Sequence, residues 1–242
     1  MNEEIVGIET DAGTMETFTV APGDKAYPPV ILYMDAPGIR EELYDFARRI
    51  AGQGYFVLLP DMYYREGKVR LDIDKGKEEI KRMFVSMNGL NNKLVMDDTK
   101  GMLAFLKTHP QAAPGPRGCL GYCMSGQYVV SAAGTFPDDF AATASLYGVG
   151  IVTEQADSPH LLAPKIKGEL YLGFAEKDIY VPDNVIPTLE KALDDNHVSY
   201  KLETWPETDH GFCFPQRAAY NKDAAEKVWT IVFDMYERRL KA

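Results

Sequence analysis

The stretch Arg117-Gly118-Cys119-Leu120-Gly121-Tyr122-Cys123-Met124-Ser125-Gly126-Gln127, followed by Tyr128-Val129-Val130-Ser131-Ala132-Ala133, decides how this chain is read. A short apolar strand runs directly into a helix, and small residues crowd the junction. A nucleophile at such a turn occupies a strained backbone conformation, and the chain folds back that sharply only where its neighbours are small. Centred on Cys123, the small positions are Gly121, Ser125 and Gly126. Centring on Ser125 fails, because Cys123 and Gln127 would then fill the tight places. Cys123 thereby stands at a helix N-terminus, where unpaired amides and the helix dipole favour a thiolate and can hold an oxyanion. Taken alone, the same residues also fit a small buried cysteine at an ordinary glycine-rich turn.

Outward from this junction, apolar runs rich in β-branched and aromatic residues recur: Val30-Ile31-Leu32-Tyr33, Tyr55-Phe56-Val57-Leu58-Leu59 and Glu169-Leu170-Tyr171-Leu172-Gly173-Phe174. Each reads as a buried strand. Between them lie stretches of helical spacing. Leu94, Val95, Met102, Leu103, Phe105 and Leu106 mark a helix that closes before His109-Pro110, and Val228, Trp229, Ile231, Val232, Met235, Tyr236 and Leu240 form an apolar stripe near the C-terminus. Alternating buried strands and amphipathic helices predict an α/β fold, a mostly parallel central sheet with helices on both faces. The segments around Ile5–Glu9 and Glu16–Ala21, joined by Thr10-Asp11-Ala12-Gly13-Thr14, predict an antiparallel hairpin at the N-terminal edge. The polar stretch Arg65–Lys81 is the least regular region. No repeat or interdomain tether is evident, so one domain over residues 1–242 is expected.

Composition narrows the function. Of 242 residues, 45% are hydrophobic and 26% charged, enough to build a large core, so disorder is excluded. The net charge of −10 repels a phosphate backbone and argues against a nucleic-acid partner. No apolar run approaches the roughly 20 residues of a membrane span, and Met1-Asn2-Glu3-Glu4 is acidic where a secretory signal is basic. A cytoplasmic protein is expected. Its three cysteines, Cys119, Cys123 and Cys213, are then free thiols rather than a disulfide framework.

A thiol nucleophile needs a base to take its proton and an acid to orient that base, and hydrolases of this architecture supply them in the chain order nucleophile, acid, histidine. Downstream of Cys123, Asp178 follows the strand ending at Phe174-Ala175-Glu176-Lys177, and His210 follows the strand Tyr200–Thr204. Both fall in loops at strand C-terminal ends, where open sheets carry their sites. Asp183 competes with Asp178 but is read as capping or opening the helix that contains Val185 and Leu189. Asp209 adjoins His210 and would point away from its ring. His109, His160 and His197 lie at a helix end, in a loop and in a turn, and are read as structural. Tyr63, Tyr64, Phe84, Tyr122, Tyr147 and Phe212 are candidate pocket walls, and Cys213 is read as a packed thiol.

The elbow Gly121-Tyr122-Cys123-Met124-Ser125-Gly126, the segment Glu176-Lys177-Asp178 with Val181-Pro182 behind it, and the triplet His210-Gly211-Phe212 together resemble the dienelactone hydrolase family of α/β-hydrolases. The resemblance extends over nearly the whole chain, through Asp35-Ala36-Pro37-Gly38 and Gly54–Tyr63. It implies hydrolysis of a small ester or lactone, with Cys123 as nucleophile, His210 as base and Asp178 as its orienting acid. It implies an oxyanion hole from the backbone N–H groups of Met124 and Ala36, and no cofactor. It also implies that Asp35, where the family usually has glutamate, holds the resting thiol. Ser125 stands where the elbow usually has glycine. The family's arginine clamp for a substrate carboxylate has no match directly after the histidine, where this chain reads Phe212-Cys213-Phe214. Arg217 is nearby, and Arg82 or Arg65 is a candidate for the other clamp.

Two other classes of function compete. A metal or redox centre could gather Cys119, Cys123, His210 and Cys213, although neither C-x-x-x-C across an elbow nor H-x-x-C matches usual ligand spacing, so no metal is expected. A noncatalytic small-molecule-binding scaffold could keep the fold without turnover. The substrate and the oligomeric state are not readable from the sequence.

Overall fold

A computed structural model describes residues Met1–Lys241. The chain divides into two compact units, Met1–Gly115 and Pro116–Ala242. The first unit holds β1 (Asn2–Thr10), β2 (Gly13–Ala21), β3 (Pro29–Tyr33), α1 (Glu41–Gly52), β4 (Phe56–Pro60), α2 (Lys77–Asn88) and α3 (Asn92–Thr108). Its strands lie in the order β1-β2-β4-β3. β1 and β2 form the predicted antiparallel hairpin, closed by Thr10 opposite Gly13, and β1 is the edge. β2 runs antiparallel to β4, and β3 parallel to β4. The fully buried strands β3 and β4 match their continuous apolar sequence, whereas β1 is mostly exposed and alternates little.

α3 begins with an N-cap in which Asn91 Oδ1 accepts from the Leu94 amide at 2.9 Å, and it ends at Thr108, as the His109-Pro110 pair predicts. The region Arg65–Lys81 is less irregular than its polarity suggests. Two short 3₁₀ turns lead into α2, whose apolar Ile80, Phe84 and Val85 are exposed and whose one buried residue is Ser86. A helix with so little buried surface leaves only a weak periodic signal among its charges.

The second unit holds β5 (Arg117–Tyr122), α4 (Gly126–Thr135), β6 (Phe140–Leu146), β7 (Glu169–Lys177), α5 (Val185–Asp195), β8 (Tyr200–Asp209) and α6 (Lys222–Leu240). Its strands lie in sequence order and all run parallel. β5 to β7 are buried almost throughout, while β8 is largely exposed. α6 lies against β5, β6 and β7 through the predicted stripe, and Tyr236 Oη donates to the Cys119 carbonyl at 2.8 Å. α5 departs from expectation at its start. Asn184, not Asp183, occupies the N-cap, with no side-chain cap bond, and Asp183 is exposed. Among the described residues no helix is long and apolar enough to cross a membrane.

Candidate active site

Cys123 sits where β5 gives way to α4, in a left-handed conformation with φ of +53°. A non-glycine residue there is strained, and the surrounding residues show what sustains it. A Cβ on Gly121 would come within 2.6 Å of the Ser125 carbonyl oxygen, and one on Gly126 within 2.1 Å of the Gly148 Cα. The junction therefore demands glycine at both places, as the elbow reading requires. Ser125 fits in place of glycine, fully buried. The Val149 amide donates to the Cys123 carbonyl at 3.0 Å and fixes the elbow to the loop after β6.

Asp178 and His210 follow β7 and β8, parallel neighbours that deliver both residues to one end of the sheet. His210 Nδ1 lies 2.8 Å from Asp178 Oδ2, and the other carboxylate oxygen, Oδ1, accepts from the Tyr180 amide at 3.0 Å. The Val181 amide donates to the Asp178 carbonyl at 3.2 Å, so Asp178 is held by its own turn. His210 opens a second tight turn, in which Gly211 has φ of +92° and Phe212 and Phe214 donate to the carbonyls of Asp209 and Gly211.

The His210 pKa is pushed up to about 9. Burial works against this, and the hydrogen bond to Asp178 together with the Cys123 sulfur overcomes it. Nε2 is buried and makes no hydrogen bond within ordinary geometric limits, yet the thiol is near enough to bias the ring's charge. The Cys123 sulfur thus acts on the same imidazole that Asp178 holds through Nδ1. Cys123 is half-buried and so open to an approaching carbonyl.

Aromatic rings surround this group. The Tyr147 ring stands perpendicular to His210 with centroids 5.0 Å apart, and also meets Phe212 at 5.3 Å and Tyr122 at 5.8 Å. Tyr147, with φ of +37°, is fully buried, as are Tyr122 and Phe212. Tyr180 meets the His210 ring at 4.8 Å and is half exposed. The sequence reading missed Tyr180. Its signal was an Ile-Tyr pair in a polar loop directly after the candidate acid.

The remaining candidates are described unit by unit. In the Met1–Gly115 unit, Asp35 is buried and its carboxylate is gripped by both Arg40 terminal nitrogens, Oδ1 at 2.5 Å and Oδ2 at 3.1 Å. Ala36 is buried, and its carbonyl accepts from Tyr63 Oη at 2.7 Å. Arg82 lies exposed on α2 and pairs with Glu79. Arg65 forms a bidentate pair with buried Asp98 at 2.7 and 2.9 Å. In the Pro116–Ala242 unit, half-buried Arg217 rests over the Phe214 ring, 5.5 Å from its centroid. Met124 is fully buried.

Cys119 is a core thiol beside Thr143, its pKa pushed to about 12 by burial, and burial pushes Cys213 up as well. Among the described residues no three His, Cys, Asp or Glu side chains are grouped to hold a metal ion. His109 stacks on Phe56 at 4.7 Å, His160 Nδ1 lies 2.8 Å from Ser158 Oγ, and His197 closes α5, so each has a structural role. Asp209 is exposed at the end of β8.

A protein of Synechocystis sp. named "Putative carboxymethylenebutenolidase" is 31% identical over 224 residues, 89% of this chain and 87% of the relative. A Bradyrhizobium protein named "Probable 2-oxo-3-(5-oxofuran-2-ylidene)propanoate lactonase" is 23% identical over 206 residues, 84% of this chain and 80% of the relative. A crystal structure from Klebsiella pneumoniae, titled "Putative Dienelactone Hydrolase", superposes with a TM-score of 0.85 at 22% identity, covering 97% of this chain and 99% of that one. The likeness shows the α/β-hydrolase fold expected from the sequence. The sequence model of the dienelactone hydrolase family matches residues 15–240, and the chain belongs to that family.

Proposed function

We propose that this protein hydrolyses small carboxylic esters and lactones through a Cys123-His210-Asp178 triad and an acyl-thioester intermediate, the whole chain acting as one hydrolase domain. The observation that carries the reading is His210, held through Nδ1 by Asp178 at 2.8 Å with the Cys123 sulfur acting on the same ring. The thiolate attacks the carbonyl carbon, and charge develops on the carbonyl oxygen. The Met124 amide at the start of the helix, and by family resemblance the Ala36 amide, receive that oxyanion, each donor worth about 3 kcal/mol. Collapse breaks the C–O bond, and the imidazolium gives its proton to the departing alkoxide. His210 then takes a proton from water, whose hydroxide attacks the thioester; collapse breaks the C–S bond, the carboxylic acid departs and the thiolate–imidazolium pair is restored.

A thiolate is itself a good leaving group, so the first intermediate reverts unless the alcohol leaves easily. Enol esters, activated esters and strained lactones are therefore the preferred substrates, and amides the poorest. Tyr122, Tyr147 and Phe212, fully buried, form an aromatic cluster that reaches His210 through the Tyr147 ring. Asp35, which the family resemblance makes the holder of the resting thiol, is itself paired with Arg40. Arg82 and Arg217 remain the candidate carboxylate clamps. The exposed position of Arg82 and the stacking of Arg217 on Phe214 favour substrates that carry no carboxylate.

The test is a panel of small esters and lactones against the wild type, Cys123→Ala and His210→Ala, with intact-mass detection of acylation. Wild type should turn over activated esters and accumulate an acyl adduct that Cys123→Ala does not form. Equal turnover by wild type and Cys123→Ala would exclude Cys123 as nucleophile.

A further inference from the structure

The turn Asp178-Ile179-Tyr180-Val181 does more than present a carboxylate. The Tyr180 amide donates to Asp178 Oδ1 while Oδ2 meets His210, so backbone and ring of one residue touch both members of the pair. The ring stands at 68° to the imidazole, with centroids 4.8 Å apart. Tyr147 makes the matching perpendicular contact at 65° and 5.0 Å, but from the end of β6 and fully buried. Tyr180 is 51% exposed and its neighbour Ile179 is 90% exposed, so the middle of this turn is at the surface, and the Tyr180 ring is turned to the histidine. An imidazole tethered only through Nδ1 can still swing about that bond. Perpendicular rings remove this freedom, because rotation would drive the imidazole into an aromatic neighbour.

We infer that Tyr180 is a positioning residue. Its ring holds the His210 imidazole so that Nδ1 stays on Asp178 while Nε2 turns towards the Cys123 sulfur, and it screens the Nδ1–H bond from water. The inference rests on the triad reading above. The hydroxyl has no part in it, so phenylalanine should serve as well.

The experiment compares Tyr180→Ala and Tyr180→Phe with the wild type, using 4-nitrophenyl acetate as the ester and the downfield proton resonance of His210 Nδ1–H as a readout that needs no turnover. Tyr180→Ala should lower kcat about tenfold, in keeping with the cost of loosening a catalytic group, with KM changed less than about twofold. Its Nδ1–H resonance should broaden through exchange with water. Tyr180→Phe should restore both. Wild-type kcat and a sharp resonance in Tyr180→Ala would overturn the inference, as would Tyr180→Phe failing like Tyr180→Ala. A rise in KM alone would make Tyr180 a substrate contact instead and equally overturn it. Failure of the triad reading is separable, because it shows as turnover by Cys123→Ala while the resonance still reports on Tyr180.

Discussion

Replacing Asp178 by asparagine keeps the shape of the turn and removes one charge. In the native protein His210 titrates at about 9 instead of its ordinary 6.5, although burial alone would lower it. That gap corresponds to roughly 3 kcal/mol of preference for the imidazolium. Because the folded-state value lies above the unfolded one, the stabilisation is fully present below about 6.5. It is lost as pH rises through about 9. With the carboxylate gone, burial is opposed only by the Cys123 sulfur, so the His210 pKa should fall. Asp178→Asn should therefore be less stable than the wild type at pH 6 by up to about 3 kcal/mol, and the difference should shrink towards pH 9.5. Urea unfolding of both proteins across this range, with midpoints compared at constant m, gives that difference directly. Ester hydrolysis should fall by a factor on the order of 10⁴, the loss seen when a triad acid is neutralised in place. If the two proteins lost stability in parallel from pH 6 to 9.5, Asp178 would not be what raises His210, and its orienting role would fail with it.

Three further substitutions probe the frame that holds the site. Gly126→Ala puts a methyl where the Gly148 Cα leaves 2.1 Å; the protein should lose about 2 kcal/mol or more by overpacking, and an unchanged thermal midpoint would contradict the close approach. Asp98→Ala removes a buried carboxylate that pairs with Arg65 and accepts from Tyr64 Oη at 2.8 Å. It should cost about 3 kcal/mol in denaturant unfolding, and a cost below about 1 kcal/mol would show the pair to be largely solvated. Tyr236→Phe deletes the hydrogen bond to the Cys119 carbonyl beneath the elbow strand, with an expected loss of about 1 kcal/mol by calorimetry; no loss would mean the carbonyl is satisfied without it.

The alternation of buried strands and helices, the hairpin at the edge and the strand-to-helix elbow were legible because each is a local pattern. Period, turn chemistry and the need for small side chains at a sharp bend act between residues close in the chain. The meeting of Asp178 and His210 was legible for a related reason: the loops at the C-terminal ends of parallel strands emerge at the same end of the sheet, so residues after the neighbouring strands β7 and β8 come together. α2 was missed because a helix that buries little needs no apolar periodicity, and the start of α5 was misplaced by one residue because Asp183 and Asn184 are both good caps. The partners of Arg65, Arg82 and Arg217, the grip of Arg40 on Asp35 and the contact of Tyr180 with His210 were decided only by the tertiary structure. A long cationic side chain reaches any acid within several ångströms, and a ring contact depends on rotamers set by packing. The sequence by itself determined which residues could do chemistry and where the sheet would deliver them. Folding alone determined the distance and orientation at which they meet, because those follow from neighbours far apart in the chain.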